Sequence, residues 1–187
     1  MTTSTISPLK QKRVTFAPRK SLTTTYTFQP DIRTKQRIRI RKNNNYKQHI
    51  NLLYCNINGI RGKVTSLKEV MTTEETDIAM ITETKGPPPA MEGYTWYSKE
   101  RKNRKGGGVA IAVRNNLANC TSTPDINEWE EMEIVWIKLQ QSGHKEIHFG
   151  CYYGLQEKAE KEQVVTQFEN LKTQIARIQH RGSVVLH

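Results

Sequence analysis

The sequence predicts a layered α+β fold in which helices cover sheets, and three stretches carry that prediction. The run MEIVWIKLQ, residues 132–140, has strand length and is largely apolar on both faces, with Met132, Ile134 and Trp136 on one and Glu133, Val135 and Ile137 on the other. A strand of that kind belongs between layers, because an exposed face would alternate with polar residues. Residues 157–181 set Val165, Phe168, Leu171, Ile175 and Ile178 at steps of three and four, the stripe of an amphipathic helix expected to pack on one face of a sheet. Between Ile50 and Glu83 the pattern runs strand, helix, strand.

In chain order, the first 48 residues stand apart by charge. They hold twelve lysines and arginines against one acid, Asp31, while the remaining seventeen basic and seventeen acidic residues cancel, so the net charge of +11 belongs to this leading segment. Few of its side chains are large and apolar, and burial there does not offset the backbone entropy lost on ordering. Residues 1–48 are therefore read as a basic, mostly disordered tail, and residues 49–187 as the folded domain. The densest part, RTKQRIRIRK from Arg33 to Lys42, suits phosphate contacts or an import signal.

The domain opens on INLLYCNI, an apolar strand stopped by Asn58-Gly59. A short helix follows from Lys63 to Met71, and DIAMITE is a second strand, ending in Glu83. TKGPPPAMEGY is a loop, since consecutive prolines remove donors and fix φ. YTWYS and GGGVAIAVR read as paired strands joined by KERKNRKGG, where Lys99, Arg101, Lys102, Arg104 and Lys105 face one acid, Glu100. That tip is a candidate clamp on a nucleic-acid backbone. EIHFGCYYG is the next strand, the long helix follows, and GSVVLH begins another strand after which more sequence is expected.

Three strand ends bear polar groups that converge if the strands are neighbours. Asn56 and Asn58 lie two apart, which places both side chains on one face of an extended chain. Their amides orient a phosphate or a general base without adding charge. Glu83, at a strand's carboxyl end, suits a hydrated divalent cation with oxygen ligands. Tyr153 can donate to a phosphoryl oxygen as negative charge builds.

With those residues in place, the chain resembles the endonuclease/exonuclease/phosphatase superfamily and, within it, the endonuclease domains of LINE-type (non-LTR) retrotransposons. The resemblance rests on CNINGIRGK, ITETK, GGGVAIAVRNNL and CYYGLQ, with RGSVVLH matching the strand that introduces the family's Gly-Asp-Phe-Asn segment. It implies a two-sheet β-sandwich flanked by helices, a four-layer α/β arrangement incomplete at its C-terminus, with a phosphodiesterase site at one end. It implies Mg²⁺, or Mn²⁺ in its place, and DNA nicking for target-primed reverse transcription, with a reverse transcriptase domain in a longer parent polyprotein. Glu83 and Asn58 would hold the metal, Asn58 standing where many relatives have Asp, and Asn56 and Tyr153 would contact the phosphate. The family's Asp-x-Asn and Asp-His pairs are missing, and Leu155 and Gln156 stand where Pro and Asn are common. Little turnover is expected from this chain, since loss of a general base alone costs ~10²- to 10⁴-fold.

Two other readings are a phosphatase of the same fold and a non-catalytic basic nucleic-acid-binding protein with a vestigial site. Cys55, Cys120 and Cys151 are too far apart for a metal knuckle or a disulfide framework, and no apolar run approaches the ~20 residues of a membrane span. A nuclear or cytoplasmic, unsecreted protein is expected.

Overall fold

The computed structural model describes residues 23–27, 33–39, 49–101, 106–124, 132–140, 145–154 and 161–187, the first two segments as backbone only. In chain order the elements are β1 (Thr23–Thr27), β2 (Arg33–Arg39), β3 (His49–Asn56), α1 (Val64–Thr73), β4 (Ile78–Thr82), β5 (Tyr94–Lys99) and β6 (Val109–Arg114). After them come α2 (Asn115–Ala118), β7 (Thr121–Ser122), β8 (Glu133–Leu139), β9 (Glu146–Tyr153), α3 (Lys161–Gln179) and β10 (Gly182–Leu186).

The strands form two mixed sheets, one in the order β1-β2-β3-β4-β6-β5 and the other in the order β10-β9-β8-β7. Each sheet contains one parallel pair, β3 with β4 and β9 with β10. The connection across each pair is a helix, α1 or α3, because a parallel crossover needs an element that returns the chain along a face of the sheet.

Three apolar clusters separate four layers. Ile50, Leu52, Ile78, Met80, Val109 and Ile111 of the first sheet meet Val135, Ile137, Phe149 and Cys151 of the second. Leu67 and Met71 of α1 pack on Leu53, Cys55, Ala79 and Ile81, the opposite face of the same strands. Leu171 and Ile178 of α3 pack on Met132, Ile134 and Trp136. The two apolar faces of β8 thus serve different cores, as its sequence predicts. Trp136 lies opposite Gly150 in the antiparallel register, and its ring occupies the space that a Cβ there would need, 2.5 Å away.

The structure departs from the sequence reading in three places. In the leading segment, read as mostly disordered with no strand assigned, β1 and β2 form and β2 pairs with β3 from Arg33↔Cys55 to Arg39↔His49. Backbone pairing needs no apolar side chains, and β3 offers an otherwise open edge whose N–H and C=O groups β2 satisfies. In α3 the apolar stripe is only half used, because Leu171 and Ile178 are buried whereas Val165 and Phe168 are 51% and 59% exposed. The N-terminal half of the helix meets the sheet through a polar contact instead, Tyr152 Oη donating to Gln167 Oε1 at 3.0 Å. Last, α2 and β7 are four and two residues long, too short to leave a periodic signal.

Among the described residues no helix is long and apolar enough to cross a membrane.

Candidate active site

The site begins with two parallel strands that stop side by side. Register pairs Asn56, the last residue of β3, with Thr82, the last residue of β4. Beyond them the two chains stay zipped: Ile57 N donates to Thr82 O at 3.0 Å, Gly59 N to Glu83 O at 2.8 Å and Ile60 N to Thr84 O at 3.0 Å. On the other flank Thr84 N donates to Gly108 O at 3.2 Å and Lys85 N to Gly107 O at 2.8 Å. Residues 83–85 are therefore clamped between the loop after β3 and the loop before β6.

That clamping imposes strain. Asn58, Glu83 and Lys85 take φ of 47°, 56° and 53°, three of the four non-glycine residues with positive φ among those described. Such conformations cost about 1–3 kcal/mol each and persist where neighbours over-determine them, which is the habit of functional rims.

Glu83 Oε1 accepts two hydrogen bonds, from Asn56 Nδ2 at 3.0 Å and from Tyr153 Oη at 2.6 Å. Asn56 ends one strand of the first sheet, Glu83 follows another, and Tyr153 is the last residue of β9 in the second, so the carboxylate bridges the mouth between the sheets. The Tyr153 hydroxyl, more than any other group, holds the Glu83 carboxyl below the usual carboxylate range; the Asn56 amide and the charges of Lys85 and Arg101 add to it against the opposing effect of burial. Glu83 is an anion at neutral pH. Its Oε2 has no hydrogen-bond partner among the described residues.

The two asparagines divide the work. Asn56 turns its Nδ2 to Glu83 and its Oδ1 to the Asn58 backbone N–H at 3.2 Å, closing a side-chain turn that fixes the loop. Asn58 Oδ1 accepts from the Lys85 ammonium. Both amides face outward while Ile57 between them is buried, as two-residue spacing predicts.

Of the basic hairpin, Lys102, Arg104 and Lys105 lie outside the described residues. Lys99 ends β5 opposite Val109. Arg101 turns inward: its Nε donates to Glu133, and its guanidinium carbon lies 5.8 Å from the centroid of the Tyr153 ring. Sequence reasoning missed Glu133 and Lys85. Glu133 is the last of a run of acids before an apolar strand, with nothing local to set it apart from Glu130 and Glu131, whereas Lys85 stands inside the ITETK motif two residues from Glu83.

Cys151 is not a nucleophile here. Burial pushes its thiol up to about 12, and its Sγ donates to Ile81 O at 3.4 Å.

The donor set suits one kind of metal. Among the described residues no three His, Cys, Asp or Glu side chains gather into a ligand cluster. What the rim offers is one carboxylate with an uncommitted oxygen, flanked by amides, and this fits a hard cation that keeps most of its water. Asn58 Oδ1 reaches such a cation only if the Lys85 ammonium yields its place.

No protein-family profile matches the chain, and no curated protein matches it in sequence. Among solved structures it resembles the endonuclease domain of TRAS1, a telomere-specific non-LTR retrotransposon, at 20% identity and a TM-score of 0.52, over 72% of this chain and 57% of that one. It also resembles a 3'-5' exonuclease (NExo) from Neisseria meningitidis at 16% identity and a TM-score of 0.48, over 71% of this chain and 54% of that one. An AP endonuclease from Archaeoglobus fulgidus aligns at 18% identity and a TM-score of 0.46, over 71% and 53% of the two chains. The chain thus shares an α/β sandwich fold of two mixed sheets with the TRAS1 domain, and it spans a little over half the length of these structures.

Proposed function

We propose that the rim formed by Asn56, Glu83 and Tyr153 is a divalent-cation-dependent phosphodiester site of the retrotransposon endonuclease type, acting on the DNA backbone. The observation that carries this reading is Glu83 itself. One carboxylate oxygen is committed to an amide and a phenol from opposite sheets, while the other has no partner among the described residues, on an anion poised at the strand ends of a nuclease-type fold.

Glu83 would hold Mg²⁺, or Mn²⁺ in its place, with Asn58 as a neighbouring amide. The cation supplies charge neutralisation at the phosphoryl oxygens. With the cation on Glu83, the one hydroxyl hydrogen of Tyr153 would turn from Glu83 Oε1 to a phosphoryl oxygen, and Asn56 keeps Glu83 and the Asn58 loop in register with it. Lys85 adds positive charge beside the same oxygens. No described rim residue is free to act as general base, since Glu83 is assigned to the cation and Tyr153 is a donor. Turnover by this chain is therefore slow, ~10²- to 10⁴-fold below a site that has the base. In the biological setting the reading is single-strand nicking that exposes a primer for reverse transcription, the polymerase lying elsewhere in a longer parent polypeptide.

A second reading is favoured by one observation, the +11 charge carried by the first 48 residues: a basic nucleic-acid-binding protein with a vestigial site. Duplex binding by the 187-residue chain, with Mg²⁺ and with chelator, separates the two. The phosphodiester reading expects affinity to rise with Mg²⁺ and the rise to vanish in Glu83→Ala, with plasmid nicking near background. Affinity indifferent to both Mg²⁺ and Glu83→Ala overturns it in favour of the second.

A further inference from the structure

We infer that Arg101, together with Glu133, is the positioning clamp that holds Tyr153 against Glu83 rather than a contact to a nucleic-acid backbone. Its role in turnover rests on the phosphodiester reading, but the clamp itself stands on geometry.

The pair joins the two sheets at the site. Arg101 follows β5 in the first sheet and Glu133 opens β8 in the second, and their side chains are only 18% and 12% exposed. Register places Glu133 directly opposite Tyr153 across the β8–β9 ladder. Glu133 is committed at both oxygens: Oε1 accepts from Arg101 Nε, and Oε2 accepts from Gly108 N at 2.6 Å. The guanidinium so fixed sits 5.8 Å from the centre of the Tyr153 ring, within cation–π range. The same ring carries the hydroxyl that donates to Glu83.

The chain makes room for this clamp. Gly107 has a φ of 67°, and a Cβ there would come within 2.6 Å of the Arg101 guanidinium and still closer to Glu133. Only a residue without a side chain admits the ion pair. Gly107 O in turn accepts from Lys85 N, so the backbone that yields space to the pair also braces the Glu83 loop.

The charge of this guanidinium is matched by Glu133 rather than by a phosphate. Each phosphate contact contributes about 0.9 to the slope of log affinity against log salt, so Arg101→Gln is expected to leave the slope unchanged. Lysine is no substitute, because its ammonium lacks the flat fork that meets a carboxylate edge-on while covering a ring.

The test uses the full 187-residue chain labelled with 3-fluorotyrosine, the Tyr153 fluorine resonance being assigned by its loss in Tyr153→Phe. Arg101→Gln and Glu133→Gln are each expected to move that resonance toward the free amino acid and to leave that of Tyr94 in place, and Arg101→Lys is expected not to restore it. Glu133→Gln keeps the test decisive should Arg101→Gln fail to fold. An unmoved Tyr153 resonance in these variants overturns the clamp, as does a salt slope that falls by about 0.9 in Arg101→Gln. Absence of Mg²⁺-dependent DNA binding in the wild type would instead sink the phosphodiester reading and leave the fluorine result to decide this one.

Discussion

Glu83 gathers the site because three different physical demands meet on one side chain. Its backbone is forced into a left-handed conformation by loops on either side, its Oε1 is shared by an amide and a phenol, and its charge is retained by those donors. The sign of the resulting pH dependence follows. A carboxyl lowered in the folded state contributes stability that is present above the ordinary value near 4.3 and is lost as pH falls through the lowered one. Because Tyr153 is the largest cause, Tyr153→Phe should raise the Glu83 value back toward the ordinary range in a carbon-detected NMR titration, and an unchanged midpoint would refute the assigned cause. Much of this rim was legible in the sequence, since Asn56, Glu83 and Tyr153 are polar groups at the ends of apolar runs. Arg101 with Glu133 was not, because their partnership spans 32 residues and no local pattern encodes it.

At the scale of elements, strand and helix positions followed from periodicity, but the extent of packing did not. The stripe along α3 reads as continuous, yet its residues are fully buried only in the C-terminal half, where Trp136 Nε1 donates to buried Gln174 Oε1 at 2.7 Å. A glutamine on the inward face breaks the hydrophobic rule and so carried no signal. Gln174→Leu strands the indole donor and should cost ~1–3 kcal/mol in urea denaturation. Phe168→Ser, at a position the stripe alone would rate as core, should change stability by no more than ~0.5 kcal/mol. Equal losses from the two would mean that the helix packs along its whole length. On β9, His148 is buried, and burial holds its imidazole below the ordinary value, with the Glu146 carboxylate 3.5 Å away pulling in the opposite direction. A base lowered in this way contributes stability present above about 6.5 and lost as pH falls through the folded value. His148→Gln should flatten that acid-side decline; a decline of the same size in the variant would assign it to other groups.

For the whole molecule, the two sheets matter because the site belongs to neither. The first sheet brings Asn56 and Glu83 to its edge through a parallel pair, the second brings Tyr153, and the shared core of Ile50, Met80, Val135, Ile137 and Phe149 sets the distance between them. A layered α+β fold was legible because β8 is apolar on both faces and each helix has one apolar stripe. The pairing of β2 with β3 was not, because it is made by backbone groups that side-chain composition does not report. The central claim, that this junction holds a divalent cation through Glu83, is tested most directly by electron paramagnetic resonance. Mn²⁺ is titrated into the 187-residue chain with a short DNA duplex present. The account predicts bound Mn²⁺ in the wild type and its loss in Glu83→Gln; Mn²⁺ bound equally by both would contradict it.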